Sequence, residues 1–134
     1  LFRSHSILAA RIGKVEKAYQ LFMHATRLDL DDYNNEGEQG LHITSMPGSW
    51  LAIVRGFAGL QIVNDMLKIE PVLPEKWNSY SFKVNYSGST LHIQVSKEIK
   101  IGLTAGNKLN IQVYQNVYEL KQEGSLTIPL KDSF

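Results

Sequence analysis

The chain has 134 residues, a formal net charge of +1 and a 43% hydrophobic composition, enough for one ordinary core or for a small domain joined to part of another. Mixed, unclustered charge excludes the basic footprint of a nucleic-acid or membrane-surface binder, and no apolar run approaches the ~18 residues of a membrane-spanning helix. The absence of cysteine excludes a disulfide framework and thiolate metal sites, fits a reducing compartment, and makes a cytoplasmic location the expectation.

The chain opens "LFRSHSILAARIG", already in a helical pattern, with neither an initiator methionine nor the basic and apolar regions of a signal peptide. A longer parent chain is therefore expected. In this first helix Leu8 and Ile12 lie one turn apart, and Gly13 is the expected stop. The next segment, "KVEKAYQLFMHATRL", places Val15, Ala18, Tyr19, Phe22 and Ala25 on one stripe, the spacing of a helix with a single buried face. A polar loop, "DLDDYNNEGEQG", precedes "PGSWLAIVRGFAGL", which is apolar almost all round and reads as a helix buried on most sides.

After Asn64-Asp65 the period drops from helical to two. Leu67 and Ile69 alternate with Lys68 and Glu70, and Tyr80, Phe82, Val84 and Tyr86 alternate with polar residues. Ser87-Gly88 reads as a tight turn into Leu91, Ile93 and Val95. Gly106-Asn107 turns into Leu109, Ile111 and Val113; Tyr118 and Leu120 start a further strand, and Gly124-Ser125 turns into Leu126 and Ile128. Short strands at this spacing predict an antiparallel sandwich. The expected organisation is thus α+β: helices over residues 1–64 and a β-sandwich over 65–134. A few helices of mixed burial leave apolar stripes that need partners from the rest of a longer chain or from a second copy, so homo-oligomerisation is expected.

Most catalytic constellations fail on inspection. The acidic loop places Asp29 and Asp31 two apart, but Tyr33, Asn34 and Gly40 stand where a calcium loop needs an oxygen ligand, a glycine and a glutamate. His5, His24, His42 and His92 show no zinc-ligand spacing, so no metal is expected. A His42–Ser45 nucleophile pair lacks the G-x-S-x-G elbow and an orienting acid. "GLHITSMPGSW" keeps two readings open. Pro47 suits the first position of a helix, and Thr44 and Ser45 just before it suit capping, so the segment is either a well-capped helix start or an anion site. In the second reading the helix terminus and Gly48 admit a phosphate and His42 adds a donor.

The stretches "RLDLDDYNN", "GLHITSM" and "LPEKW" resemble the C-terminal part of family 65 glycoside hydrolases, which include the maltose, kojibiose, nigerose and trehalose phosphorylases. The resemblance runs over essentially the whole chain. It implies the last helices of an (α/α)6 catalytic barrel followed by a C-terminal β-sandwich. It further implies phosphorolysis of an α-linked glucose disaccharide with inversion, giving β-glucose 1-phosphate, with inorganic phosphate as co-substrate and no other cofactor. In such enzymes a glutamic acid protonates the glycosidic oxygen. None of Glu16, Glu36, Glu38, Glu70 or Glu75 matches its surroundings, which places the acid upstream and leaves this fragment inactive by itself. By the same resemblance His42, Thr44, Ser45 and Gly48 contribute to the phosphate site. A family hydrolase using water and a non-catalytic carbohydrate-binding or packing module are the alternatives, the latter needing exposed aromatics such as Tyr114 or Tyr118.

Overall fold

The structure, a computed structural model, describes residues 2–27 and 45–132. Helix α1 (Phe2–Arg11) stops at Gly13, whose φ of 79° lies in the left-handed region that a Cβ disfavours. Lys14 N–H donates to the Ala9 carbonyl at 2.9 Å and Gly13 N–H to the Ala10 carbonyl at 3.1 Å, the paired bonds of a Schellman motif. The buried face of α1 consists of small residues, Ser6, Ala9 and Ala10, whereas Leu8 and Ile12 are 57% and 68% exposed. Small side chains let neighbouring helices approach closely, and the Ser6 hydroxyl, buried in that contact, donates to the Ala18 carbonyl at 2.8 Å. Helix α2 (Val15–Thr26) buries Val15, Ala18, Phe22 and Ala25, the stripe its spacing predicts, with Tyr19 partly buried beside them.

Helix α3 (Ser45–Leu51) runs directly into a π-helical turn, Ala52–Phe57. The burial expected for this whole segment is concentrated in the π turn and just after it, where Ala52, Val54, Gly56, Phe57, Ala58 and Gly59 are buried; ahead of it Gly48 is buried, but Trp50 and Leu51 stay 49% and 39% exposed. Helix α1 crosses the π turn at Gly56, where an added Cβ would lie 3.3 Å from Ile7 Cα. A π turn leaves its final carbonyls poorly served by its own amides. Here the strands supply the donors: Val72 N–H donates to the Phe57 carbonyl at 2.7 Å and Glu70 N–H to the Ala58 carbonyl at 3.0 Å. The turn persists because packing and these two bonds impose it.

Eight strands follow, β1 (Gln61–Val63), β2 (Met66–Ile69), β3 (Tyr80–Tyr86), β4 (Ser89–Val95), β5 (Glu98–Ala105), β6 (Leu109–Val113), β7 (Asn116–Leu120) and β8 (Ser125–Pro129). They form two four-stranded sheets ordered β1-β2-β6-β7 and β3-β4-β5-β8. Asn64 and Asp65, where the sequence changes period, both have positive φ and make the two-residue turn of the β1–β2 hairpin. Ser87 and Gly88 do the same for β3–β4, with φ of 52° and 76°. One pairing departs from the antiparallel expectation: β2 and β6 are parallel neighbours, with Leu67 opposite Ile111. After β2 the chain crosses to the other sheet for three strands and returns in the same sense, and only such a long crossover permits a parallel neighbour.

The inward residues of both sheets meet in one core, including Leu67, Ile69, Ile93, Ile101, Ile111 and Val113, all essentially inaccessible. Each such aliphatic chain contributes about 1.5–3 kcal/mol when fully buried. Strand β5 stands between β4 and β8 and buries Ile99, Ile101 and Leu103. The same core continues into the helices through Phe22, Ala52, Val54 and Phe57, so helices and sandwich share one hydrophobic interior.

Candidate functional site

Helix α3 opens at Ser45, so Pro47 is its third residue rather than its first and Ser45 lies inside the helix rather than ahead of it; the proline still falls in the first turn, where the missing N–H has no intrahelical acceptor to serve. Gly48 is buried while Pro47 beside it is exposed. The first turn holds no acidic residue, so no carboxylate there competes with an approaching anion. His42 and Thr44 lie outside the described residues, as do the acidic loop over 28–44 and its carboxylates, Glu36 and Glu38 among them.

The other candidate groups are spoken for. The Glu16 carboxylate accepts from the Glu75 N–H at 3.2 Å, and Glu70 pairs with Lys68 at 3.1 Å. His5 and His24 are exposed on helices, and His92 sits partly covered on a strand, opposite Lys83 and Gly102. Among the described residues no three His, Cys, Asp or Glu side chains cluster to hold a metal, and no helix is long and apolar enough to cross a membrane. The buried hydroxyl of Ser89 donates to the Asn107 carbonyl at 2.8 Å, a structural bond rather than a poised nucleophile.

Neither tyrosine named as a sugar-stacking candidate serves as a free platform. Tyr118 is the register partner of fully buried Ile111, so its ring faces the core. Tyr114 occupies the β6–β7 turn with a φ of 54°; its hydroxyl donates to the Pro71 carbonyl at 2.6 Å and accepts from Lys131 N–H at 3.2 Å. Burial, and then the charge of Glu70, push its pKa upward against the lowering effect of the Lys131 bond. Tyr80, almost fully enclosed, is raised well above the ordinary tyrosine value by burial, with a further contribution from Tyr114. A cleft of about 640 Å³ runs between the end of α1 and the sandwich, walled by Arg11, Gly59, Glu70, Tyr114 and Lys131 among others; no residue of α3 lines it.

Trp77, which belongs to the family-like stretch "LPEKW", has a structural role that the resemblance does not specify. It lies in the segment between β2 and β3, partly buried, and among the described residues its ring meets four others: Phe57 at 5.0 Å, Phe22 at 5.4 Å, Tyr19 at 5.9 Å and Tyr80 at 5.9 Å. The edge-to-face angles of 85° and 83° with Phe22 and Tyr19 suit the quadrupoles of the rings. "LPEKW" was the available signal, since a tryptophan amid charged residues and proline has no strand or helix face to fill.

Two family descriptions match the chain: that of the glycosyl hydrolase family 65 central catalytic domain over residues 3–51 and that of the family 65 C-terminal domain over residues 60–120. The chain belongs to glycosyl hydrolase family 65. The π turn falls in the gap between the two matches. This family 65 chain is 46% identical over 112 residues to a maltose phosphorylase of Bacillus subtilis, covering 83% of this chain and 15% of that protein. It is 41% identical over 124 residues to an α,α-trehalose phosphorylase of Geobacillus stearothermophilus, covering 92% and 16%. A solved kojibiose phosphorylase-like protein from the human microbiome superposes with a TM-score of 0.87 at 42% identity, over 96% of this chain and 18% of that one. The chain therefore spans between 15% and 18% of the length of these relatives.

Proposed function

We propose that this family 65 chain is the C-terminal part of an inverting α-glucoside phosphorylase. The parent enzyme cleaves an α-linked glucose disaccharide with inorganic phosphate, releases β-glucose 1-phosphate, and needs no other cofactor. The observation that carries this reading is the 41–46% identity to phosphorylases, which extends through both the helices and the sandwich. In this reading residues 1–64 are the last helices of an (α/α)6 barrel and residues 65–134 its C-terminal sandwich. The parent acts as a cytoplasmic homo-oligomer.

The chemistry divides between two parts of the parent. A glutamic acid supplied upstream protonates the glycosidic oxygen. Phosphate is already an anionic nucleophile, so no second carboxylate is needed to activate it, only a seat that holds it behind the anomeric carbon. We assign that seat to His42, Thr44, Ser45 and Gly48: donors from the side chains, a helix start free of acidic residues, and a glycine that admits close approach. The test is phosphate-dependent release of glucose 1-phosphate by the full-length parent. His42→Ala and Ser45→Ala should each raise KM for phosphate by ~10-fold or more while leaving disaccharide binding within about twofold. Unchanged phosphate kinetics in both variants rejects the seat, and free glucose without phosphate consumption identifies a hydrolase instead.

The reading as a sugar-stacking module has less support. Among the described residues, these strand positions alternating with the core carry no phenylalanine, tyrosine or tryptophan ring on either sheet: Ser81, Lys83, His92, Gln94, Lys100 and Thr127 on one, Lys68, Gln112, Val117 and Glu119 on the other.

A further inference from the structure

The aromatic cluster around Trp77 joins three parts of the molecule. The rings it meets belong to α2 (Tyr19 and Phe22), to the π turn (Phe57) and to the first strand of the second sheet (Tyr80). The segment that carries Trp77 makes further contacts. Glu75 N–H donates to Glu16 on α2, the Lys76 ammonium lies 5.8 Å above the Tyr19 ring, and upstream of it Val72 and Glu70 donate to the carbonyls that end the π turn. Gly59, at a φ of 64°, lies so close to the Glu70 backbone that a Cβ would come within 3.1 Å. The helix that begins at Ser45 is therefore held at its far end by a group supplied from the sandwich side.

The π turn adjoins this cluster through Phe57. Its widened backbone is unfavourable in isolation and marks places where tertiary contacts set helix register. Phe57 is the last residue of the turn and is both the closest ring to Trp77 and the acceptor of the shortest of these backbone bonds. A shift of Phe57 moves the turn, and α3 is continuous with it.

We propose that Trp77 is a positioning residue for phosphate use: seated between Phe22 and Phe57, it fixes α3 relative to α2 and so sets the geometry in which phosphate is held. This rests on the phosphorylase reading, and it assigns the sandwich a task in the reaction that no substrate contact reveals. A misplacement of ~1 Å in a reacting group can cost up to ~10²-fold in rate, so a small displacement transmitted through Phe57 is enough.

The experiment uses the full-length parent enzyme with Trp77→Leu, Trp77→Phe and Tyr19→Leu. Initial rates are measured against inorganic phosphate and, separately, against disaccharide. Trp77→Leu should raise KM for phosphate by about fivefold or more, with KM for disaccharide within about twofold; Trp77→Phe, which keeps a ring, should restore most of the phosphate affinity. Tyr19→Leu trims the rim of the cluster without emptying it, and should shift phosphate KM in the same direction by about twofold, so the test stands even where Trp77→Leu fails to fold. A purely structural role lowers the melting temperature and the active fraction, hence kcat, and leaves phosphate KM untouched in all three; that result overturns the inference. A wild-type parent that consumes no phosphate overturns the phosphorylase reading itself, and the inference with it.

Discussion

Replacing Gly59 by alanine tests whether the helix–sandwich junction is as tight as its geometry implies, with Gly88→Ala as the internal reference. Both glycines have positive φ, 64° and 76°. An L-residue in that region costs about 1–2 kcal/mol, partly offset by the ~0.4–1 kcal/mol gained when alanine restricts the unfolded chain. At Gly88 nothing lies within 4 Å of an added Cβ, so the net loss should be about 0.5–1 kcal/mol. At Gly59 the same Cβ meets Glu70 O at 3.1 Å, Glu70 N at 3.2 Å and Glu70 Cβ at 3.3 Å, two of them backbone atoms. Glu70 N–H is also the donor that caps Ala58 O at 3.0 Å. Relief requires Glu70 to move, which adds an overpacking cost of ~1–3 kcal/mol and strains a bond worth ~0.5–1.5 kcal/mol. The expected total for Gly59→Ala is about 2–4 kcal/mol, read from denaturant midpoints at unchanged slope. Equal midpoints for the two variants would show that the junction yields freely and would refute the reasoning.

Tyr80→Phe tests the buried phenol. Because its folded pKa lies above the unfolded value of about 10, the folded state holds the proton more tightly and the associated stability is complete below that pH. It is lost as pH rises beyond it. Wild-type stability should fall steeply above pH ~10, and the variant, though about 1 kcal/mol weaker at neutral pH for want of the 2.9 Å bond to the Val72 carbonyl, should fall less. Parallel alkaline profiles would contradict this. Tyr114→Phe removes the hydroxyl that links Pro71 to Lys131; hydrogen exchange at the Lys131 amide should accelerate while β3 and β4 keep their protection, at a cost of ~0.5–1.5 kcal/mol.

Much of the architecture is legible from alternation. Phe82 with Leu91, Ile93 and Val95, and the turn at Ser87-Gly88, follow from period and turn chemistry alone. Strand β5 was not among the expected elements, although Ile99, Ile101 and Leu103 alternate as cleanly as their neighbours. Its entry through Ser96-Lys97 lacks the Gly, Pro or Asn that marks the turns read from the sequence, and Gly102 interrupts its interior. The β1–β2 hairpin hid for a different reason: three residues at the end of an apolar run look like continued helix until their partner strand is known. The π turn and the parallel β2–β6 pair were beyond reach, because each is imposed by groups distant in sequence. Of the candidate segment, the start of a helix with a proline and a glycine in its first turn is legible. Its link to Trp77 depends on which rings meet across the fold.

The parallel pairing of β2 with β6 has a consequence for how the chain comes into being. Sheet order places strands 66–69 and 109–113 side by side, so the β1–β2 hairpin leaves the ribosome long before its lasting neighbour exists, and β5 likewise waits for β8 at 125–129. During synthesis, at roughly 5–20 residues per second, these strand edges stay open for several seconds. The helices, made first, lean on a surface finished last. Premature termination anywhere before β6 leaves the first sheet a lone hairpin, too small to be stable by itself, and withdraws support from the turn that anchors α3.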